Sequence, residues 1–145
     1  MVDEVDLKII DKLLKNARST YSEIAREVGL SDVAVMKRVR KLEQEGVIKK
    51  YTAIVDPWKL GYSKVSITGV NVQPDKLFNV IEELKKRDYV KHLVVTSGDH
   101  DVIALIFARS SEEMIKIHDE ISRLDGVVKV YPAIVSDIIK DEMRV

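Results

Sequence analysis

The 145-residue sequence contains no cysteine. Disulfides, thiolate nucleophiles and cysteine metal sites are therefore excluded, and a reducing compartment fits. No apolar run approaches the roughly 20 residues that span a bilayer, and the opening MVDEVDLKII is acidic and lacks the apolar stretch of a secretory leader. A cytoplasmic protein without membrane contact is expected. The three histidines, His92, His100 and His118, show no ligand spacing, and a glycine-rich phosphate loop, a zincin helix and a nucleophile elbow are all missing. Little remains from which to build an enzyme, and neither a metal nor another cofactor is expected.

An excess of one charge is missing too, because 24 Lys+Arg balance 24 Asp+Glu. The balance is uneven along the chain. Residues 1–50 hold 11 basic and 9 acidic side chains, residues 51–145 hold 13 and 15, and residues 37–50 hold six cations against Glu43 and Glu45. Phosphates respond to such a local excess, since salt screens each charge over about 10 Å. Charged residues reach 33%, a bias reported for proteins of hyperthermophiles that bears on habitat and not on activity.

What is present is patterned, most strongly from Thr20 to Ile48. Thr20 and Glu23 have capping-box spacing, followed by the apolar stripe Tyr21, Ile24, Ala25 and Val28. Gly29 ends that helix in the left-handed conformation that other residues adopt only with strain, and Ser31 caps the next. Turning about 100° per residue from Val35, Val39 and Leu42 share its direction and face a core. Val33, Lys37, Arg40 and Gln44 fall opposite, flanked by Met36 and Lys41. A basic outward face with some apolar surface suits a major groove, although a solvated helix face has the same composition. Arg38 points nearer the core, so it either braces the domain through an acidic neighbour or reaches a phosphate. Arg18 and Ser31, at the two helix starts, are further phosphate candidates. Asp3 and Asp6 open a first helix carrying Leu7, Ile10, Leu13 and Leu14, which completes a three-helix body over residues 1–50.

Residues 51–61 read as the end of a β-like stretch, Val47 to Val55, and a hinge at Asp56-Pro57. From 62 to 145 the order is strand, helix, strand, strand, helix, strand, which predicts an α+β, ferredoxin-like βαββαβ domain with a four-stranded antiparallel sheet and its last strand at an edge. Hydrophobic phase switches across Gly69, which suggests a bulge there. Ser97 to Asp101 form a tight hairpin by composition, and an ordinary Asx-type turn has the same residues without any function. The run VIALIFA at 102–108 is apolar on both faces, and helices cover only one. A second, identical chain is the simplest cover, and two related helices would then read a near-palindromic duplex.

These pieces together resemble the Lrp/AsnC (leucine-responsive, feast/famine) transcriptional regulators across the whole chain. The carriers are Asp3 and Asp6, Asn16-Ala17-Arg18, Ile24-Ala25, Gly29-Leu30-Ser31, Arg38, Leu42-Glu43, Gly46-Val47-Ile48, Asp56-Pro57, Leu60-Gly61 and Ser97-Gly98-Asp99 with Asp101. The resemblance implies a helix-turn-helix reader of double-stranded DNA that uses Arg18, Ser31, Val33, Met36, Lys37, Arg38, Arg40 and Lys41. It further implies dimers that assemble into tetramers, octamers or larger rings, and a small amino-acid effector bound near the hairpin Thr96, Ser97, Gly98, Asp99, His100 and Asp101. His100 stands where relatives commonly carry an aromatic such as tyrosine. The alternative is an architectural protein that coats duplex through phosphates without an effector.

Overall fold

The structure, a computed structural model, describes residues 1–142 and divides into two compact units. Unit one comprises Met1–Ile54 with the described residues from Lys140 on, and unit two comprises Val55–Ile139. Among the described residues no helix is long and apolar enough to cross a membrane.

Unit one holds α1 (Glu4–Lys15), α2 (Tyr21–Val28) and α3 (Asp32–Gln44). Asp3 is the N-cap of α1 and forms a complete capping box with Asp6, each side chain taking the other's backbone amide. The core is Ile9, Ile24, Ala25, Val35 and Val39, with Val5, Leu13, Val28, Leu30 and Ile48 against it. The stripe of α1 is thus Val5, Ile9 and Leu13, and not the expected Leu7, Ile10, Leu13 and Leu14; Leu7 and Leu14 are exposed. Both stripes have helical spacing, and packing on α2 and α3 selects the one whose Asp6 also meets Arg38. Each fully buried isoleucine contributes about 1.5–3 kcal/mol.

Val47 to Val55 forms no strand, contrary to the sequence expectation. Its β-branched and aromatic residues favour an extended backbone, but a strand needs a neighbouring edge to bond with, and among the described residues none pairs with it. A turn at Pro57–Gly61 follows, with Asp56 accepting from Trp58 N–H at 3.0 Å and Pro57 O from Tyr62 N–H at 3.0 Å.

Unit two contains β1 (Lys64–Val72), α4 (Leu77–Lys85, led in by a 3₁₀ turn at Pro74–Lys76), β2 (Val90–Val95), β3 (Val102–Ala108), α5 (Ser111–Ser122) and β4 (Val127–Tyr131). The sheet is antiparallel, in the order β2-β3-β1-β4, with β4 at an edge as expected for the ferredoxin-like arrangement. Strand β4 is shorter than the expected Val127 to Ile139; Pro132 ends it, and Ala133 and Val135 bond back to Ile67 and Val65.

On the covered face Val102, Ala104, Ile106 and Ala108 pack with Val70, Val72, Val80, Leu84, Met114, Ile117 and Ile121. On the other face Ile103, Leu105 and Phe107 are half-buried, and Ile67 and Val94 are exposed. The expected bulge at Gly69 is absent. Pairing of β1 with β3 runs regularly through Gly69↔Ile103, and the register shift lies at Asn71/Val72 against β4. The apparent phase switch arises because two helix-facing positions, Ser66 and Thr68, are polar and fully buried. Their hydroxyls bond each other at 2.8 Å, and Thr68 meets His118 Nε2 of α5 at 2.7 Å. His118 Nδ1 lies 2.9 Å from the Met114 carbonyl, which leaves Nε2 to accept from Thr68 in the neutral ring. Burial lowers the His118 pKa and so favours that neutral form.

Candidate nucleic-acid interface and hairpin site

The turn between α2 and α3 is built by local chemistry. Thr20 Oγ1 accepts from Glu23 N–H at 3.1 Å, and Ser31 Oγ accepts from Ala34 N–H at 3.1 Å. Between them Gly29, at φ 72°, turns the chain, and the Gly29 and Leu30 amides both reach the Ala25 carbonyl. This fixes the start of α3, and Val35, Val39 and Leu42 then fix its rotation by facing the core.

Val33, Lys37, Arg40 and Lys41 consequently face outward and are exposed, with Met36 half-buried beside them. Among the described residues no carboxylate lies within ion-pair distance of Arg18, Lys37 or Arg40, and Lys41 reaches only Glu45, at 3.8 Å. Outward cations without carboxylate partners are free to meet phosphate.

Arg38 is placed differently. Its Nη1 lies 2.7 Å from Asp3 Oδ2 and 2.9 Å from Asp6 Oδ1, so the guanidinium ties α3 to the capping box of α1. Of the two readings open for Arg38 the structure shows the brace, which removes it from the outward group. Its hydrogen bond holds the Asp3 carboxyl down at about 2, and the two aspartates raise the Arg38 pKa. A depressed carboxylate stabilises the fold above its unfolded value near 3.8, and that contribution is lost as pH falls toward about 2. Asp3→Asn keeps an equivalent N-cap and removes only the charge. It is expected to melt below wild type at pH 5, with the difference closing by about pH 2 in thermal scans. A constant offset over that range would mean that the ion pair contributes nothing.

In unit two the hairpin between β2 and β3 is tied down at its base. Thr96 Oγ1 donates to the His100 carbonyl at 2.7 Å, and Thr96 N–H donates to the Asp101 carbonyl at 2.9 Å. Asp101 N–H donates to Val70 O at 3.2 Å, and the Asp101 carboxylate accepts from Val72 N–H at 2.9 Å. Thr96 and Asp101 are thereby engaged in holding the loop to β1. Ser97, Gly98 and Asp99 stand at the tip, all exposed, and a Cβ on Gly98 would meet nothing within 4 Å. Among the described residues no group accepts from the backbone amides of these three. Successive free amides suit a carboxylate, and the Asp99 carboxylate beside them suits an ammonium.

His100 turns inward, over Gly69 and toward Asn71 and Tyr131. Sequence reasoning named His100 but missed these three neighbours, and the available signal, a glycine in mid-strand, reads equally as a bulge. A depression of about 460 Å³ in unit one is lined by Leu13, Ala17, Ser19, Thr20, Tyr21, Val39, Glu43 and Tyr51, away from the outward face of α3. Tyr51 donates to Glu43 at its rim at 2.8 Å, and burial together with that carboxylate pushes the Tyr51 phenol up to about 12. Among the described residues no group of three or more His, Asp or Glu is placed to hold a metal.

The family described as winged helix-turn-helix DNA-binding matches residues 2–49, and the family described as Lrp/AsnC ligand binding domain matches residues 65–145. The chain belongs to the Lrp/AsnC family. It is similar to the HTH-type transcriptional regulator LrpA of Pyrococcus horikoshii, at 47% identity over 141 residues covering 97% of this chain and 100% of that protein. Among solved structures it is similar to that of PH0061, at TM-score 0.90 and 27% identity, covering 99% and 98% of the two chains. A likeness of fold alone, at TM-score 0.90 and 22% identity, covers 100% of this chain and 96% of the regulator NMB0573 of Neisseria meningitidis, solved as a complex with L-methionine. This Lrp/AsnC protein is thus a transcriptional regulator, with a helix-turn-helix DNA-binding domain followed by a ligand-binding domain, and its curated relatives are regulators and not enzymes.

Proposed function

We propose that this Lrp/AsnC regulator is a cytoplasmic, sequence-specific DNA-binding protein, and that a small amino acid at the hairpin tip adjusts its assembly or its grip on DNA. The observation that carries the DNA half is the outward face of α3, where Lys37 and Arg40 have no carboxylate partner among the described residues while Arg38 is tied inward. In this role α3 enters the major groove, Arg40 and Lys37 reach base edges or phosphate, Val33 and Met36 supply apolar contact, and Ser31 and Arg18 approach the backbone. The effector half is supported by the free amides of Ser97, Gly98 and Asp99 with the adjacent Asp99 carboxylate, and by the L-methionine bound to a protein of the same fold.

Two readers are needed for a near-palindrome. The uncovered sheet face, with Ile67, Val94, Ile103, Leu105 and Phe107, supports a homodimer, and dimers then associate into tetramers, octamers or larger rings. An architectural protein would share α3 but not the tip receptor.

The test is direct. Duplex sites selected from random sequence by the full chain should be bound roughly 10³-fold or more above bulk DNA, and one or more of the twenty amino acids should shift the melting temperature and change site affinity. Equal affinity for selected and bulk duplex, with no response to any amino acid, would establish the architectural role.

A further inference from the structure

Gly69 lies in the middle of β1, where glycine weakens a strand because it is flexible and packs no side chain. Backbone conformation does not demand it, since Gly69 is not among the glycines with positive φ and its ladder to β3 is regular. The imidazole of His100 does. A Cβ at position 69 would lie 2.5 Å from Cδ2, 2.6 Å from Cγ and 2.7 Å from Nε2 of that ring. The ring rests on bare strand backbone, with Nδ1 3.0 Å from Asn71 Oδ1. It also packs on Tyr131 with centroids 4.7 Å apart. Because the strands run β2-β3-β1-β4, a residue of the β2–β3 turn reaches across β1 as far as the edge strand.

We propose that Gly69 and His100 form a matched lock that holds the Ser97-Gly98-Asp99 tip in its receptive geometry, which makes His100 a positioning residue for the effector. The role in binding rests on reading the hairpin as the effector site; the lock itself does not. Asp101 pins only the base of the turn, whereas His100 adjoins the tip and fixes the direction in which the three amides point. The ring faces the strand, so it acts without touching the ligand. A tip ordered in advance spares the ligand the entropy of ordering it, and that is the source of the expected affinity.

The experiment uses the full chain labelled with ¹⁵N. His100→Ala should shift the Ser97, Gly98 and Asp99 amide signals and lower their heteronuclear NOE, and Asn71→Ala, which leaves the strand backbone untouched, should do so more weakly. Gly69→Ala should reproduce the His100→Ala pattern, and the double variant should look no worse than His100→Ala alone, because each change breaks the same contact. Tip signals unmoved in His100→Ala, or effects of the two changes that simply add, would overturn the lock. The twenty amino acids are then titrated singly: whichever binds wild type should bind His100→Ala about tenfold more weakly. Unchanged affinity would overturn the positioning role. Should wild type bind none of them, the effector reading fails, and the amide signals still decide the lock.

Discussion

If two chains join through the uncovered sheet face as proposed, Leu105→Asp is expected to leave a folded monomer and to reduce DNA affinity by two orders of magnitude or more. Leu105 pairs with Ile67 at the centre of the face that no helix covers, between Ile103 and Phe107. In a monomer position 105 is half-buried, so the new carboxylate reaches water and the fold survives. In a dimer joined through that face it would be buried without a partner, at a cost of several kcal/mol per chain, and symmetry would bring two such charges together. Operator affinity falls because two linked readers bind far more tightly than one, through the effective concentration each gives the other. Light scattering on the variant, alongside circular dichroism to establish folding, makes the measurement. A variant that stays assembled would show that the chains join elsewhere.

The second large effect concerns α3. Lys37→Ala combined with Arg40→Ala should weaken operator binding about 100-fold at moderate salt and lower the slope of log affinity against log salt by up to about two. Thermal stability should hardly change, since both side chains are exposed and no carboxylate among the described residues pairs with them. Arg38→Ala supplies the contrast. It unties α1 from α3 and is expected to lower the melting temperature while leaving the salt slope in place. A slope unchanged in the double variant would remove Lys37 and Arg40 from the interface.

Much of the fold was legible because its signals are short-range. Thr20 ahead of α2 and Ser31 ahead of α3 each accept from the amide three residues on, where the spacing puts the caps. The run Val102 to Ala108, apolar on both sides, reads as a strand whose two faces are both apolar, and in the structure its burial alternates between the face the helices cover and the one they leave. Failures occurred where a local pattern needed a distant partner. Val47 to Val55 has strand composition but no neighbouring edge, and the polar Ser66 and Thr68 imitate a phase switch because His118, fifty residues beyond Thr68, satisfies them in the core.

At the candidate sites the division is the same. By itself, the sequence determined that α3 turns Lys37 and Arg40 away from Val35, Val39 and Leu42, because helical period fixes direction within one element. It also determined a glycine-centred turn rich in acidic residues between two apolar strands. Tertiary structure alone decided that Arg38 closes on Asp3 and Asp6, that Asp101 and Thr96 hold the hairpin down while Asp99 stands exposed at the tip, and that His100 lies on Gly69. Period and caps act over three or four residues, whereas a side chain's partner is whichever group packing brings within about 3 Å. For Arg38 and Asp3 that group was 35 residues away.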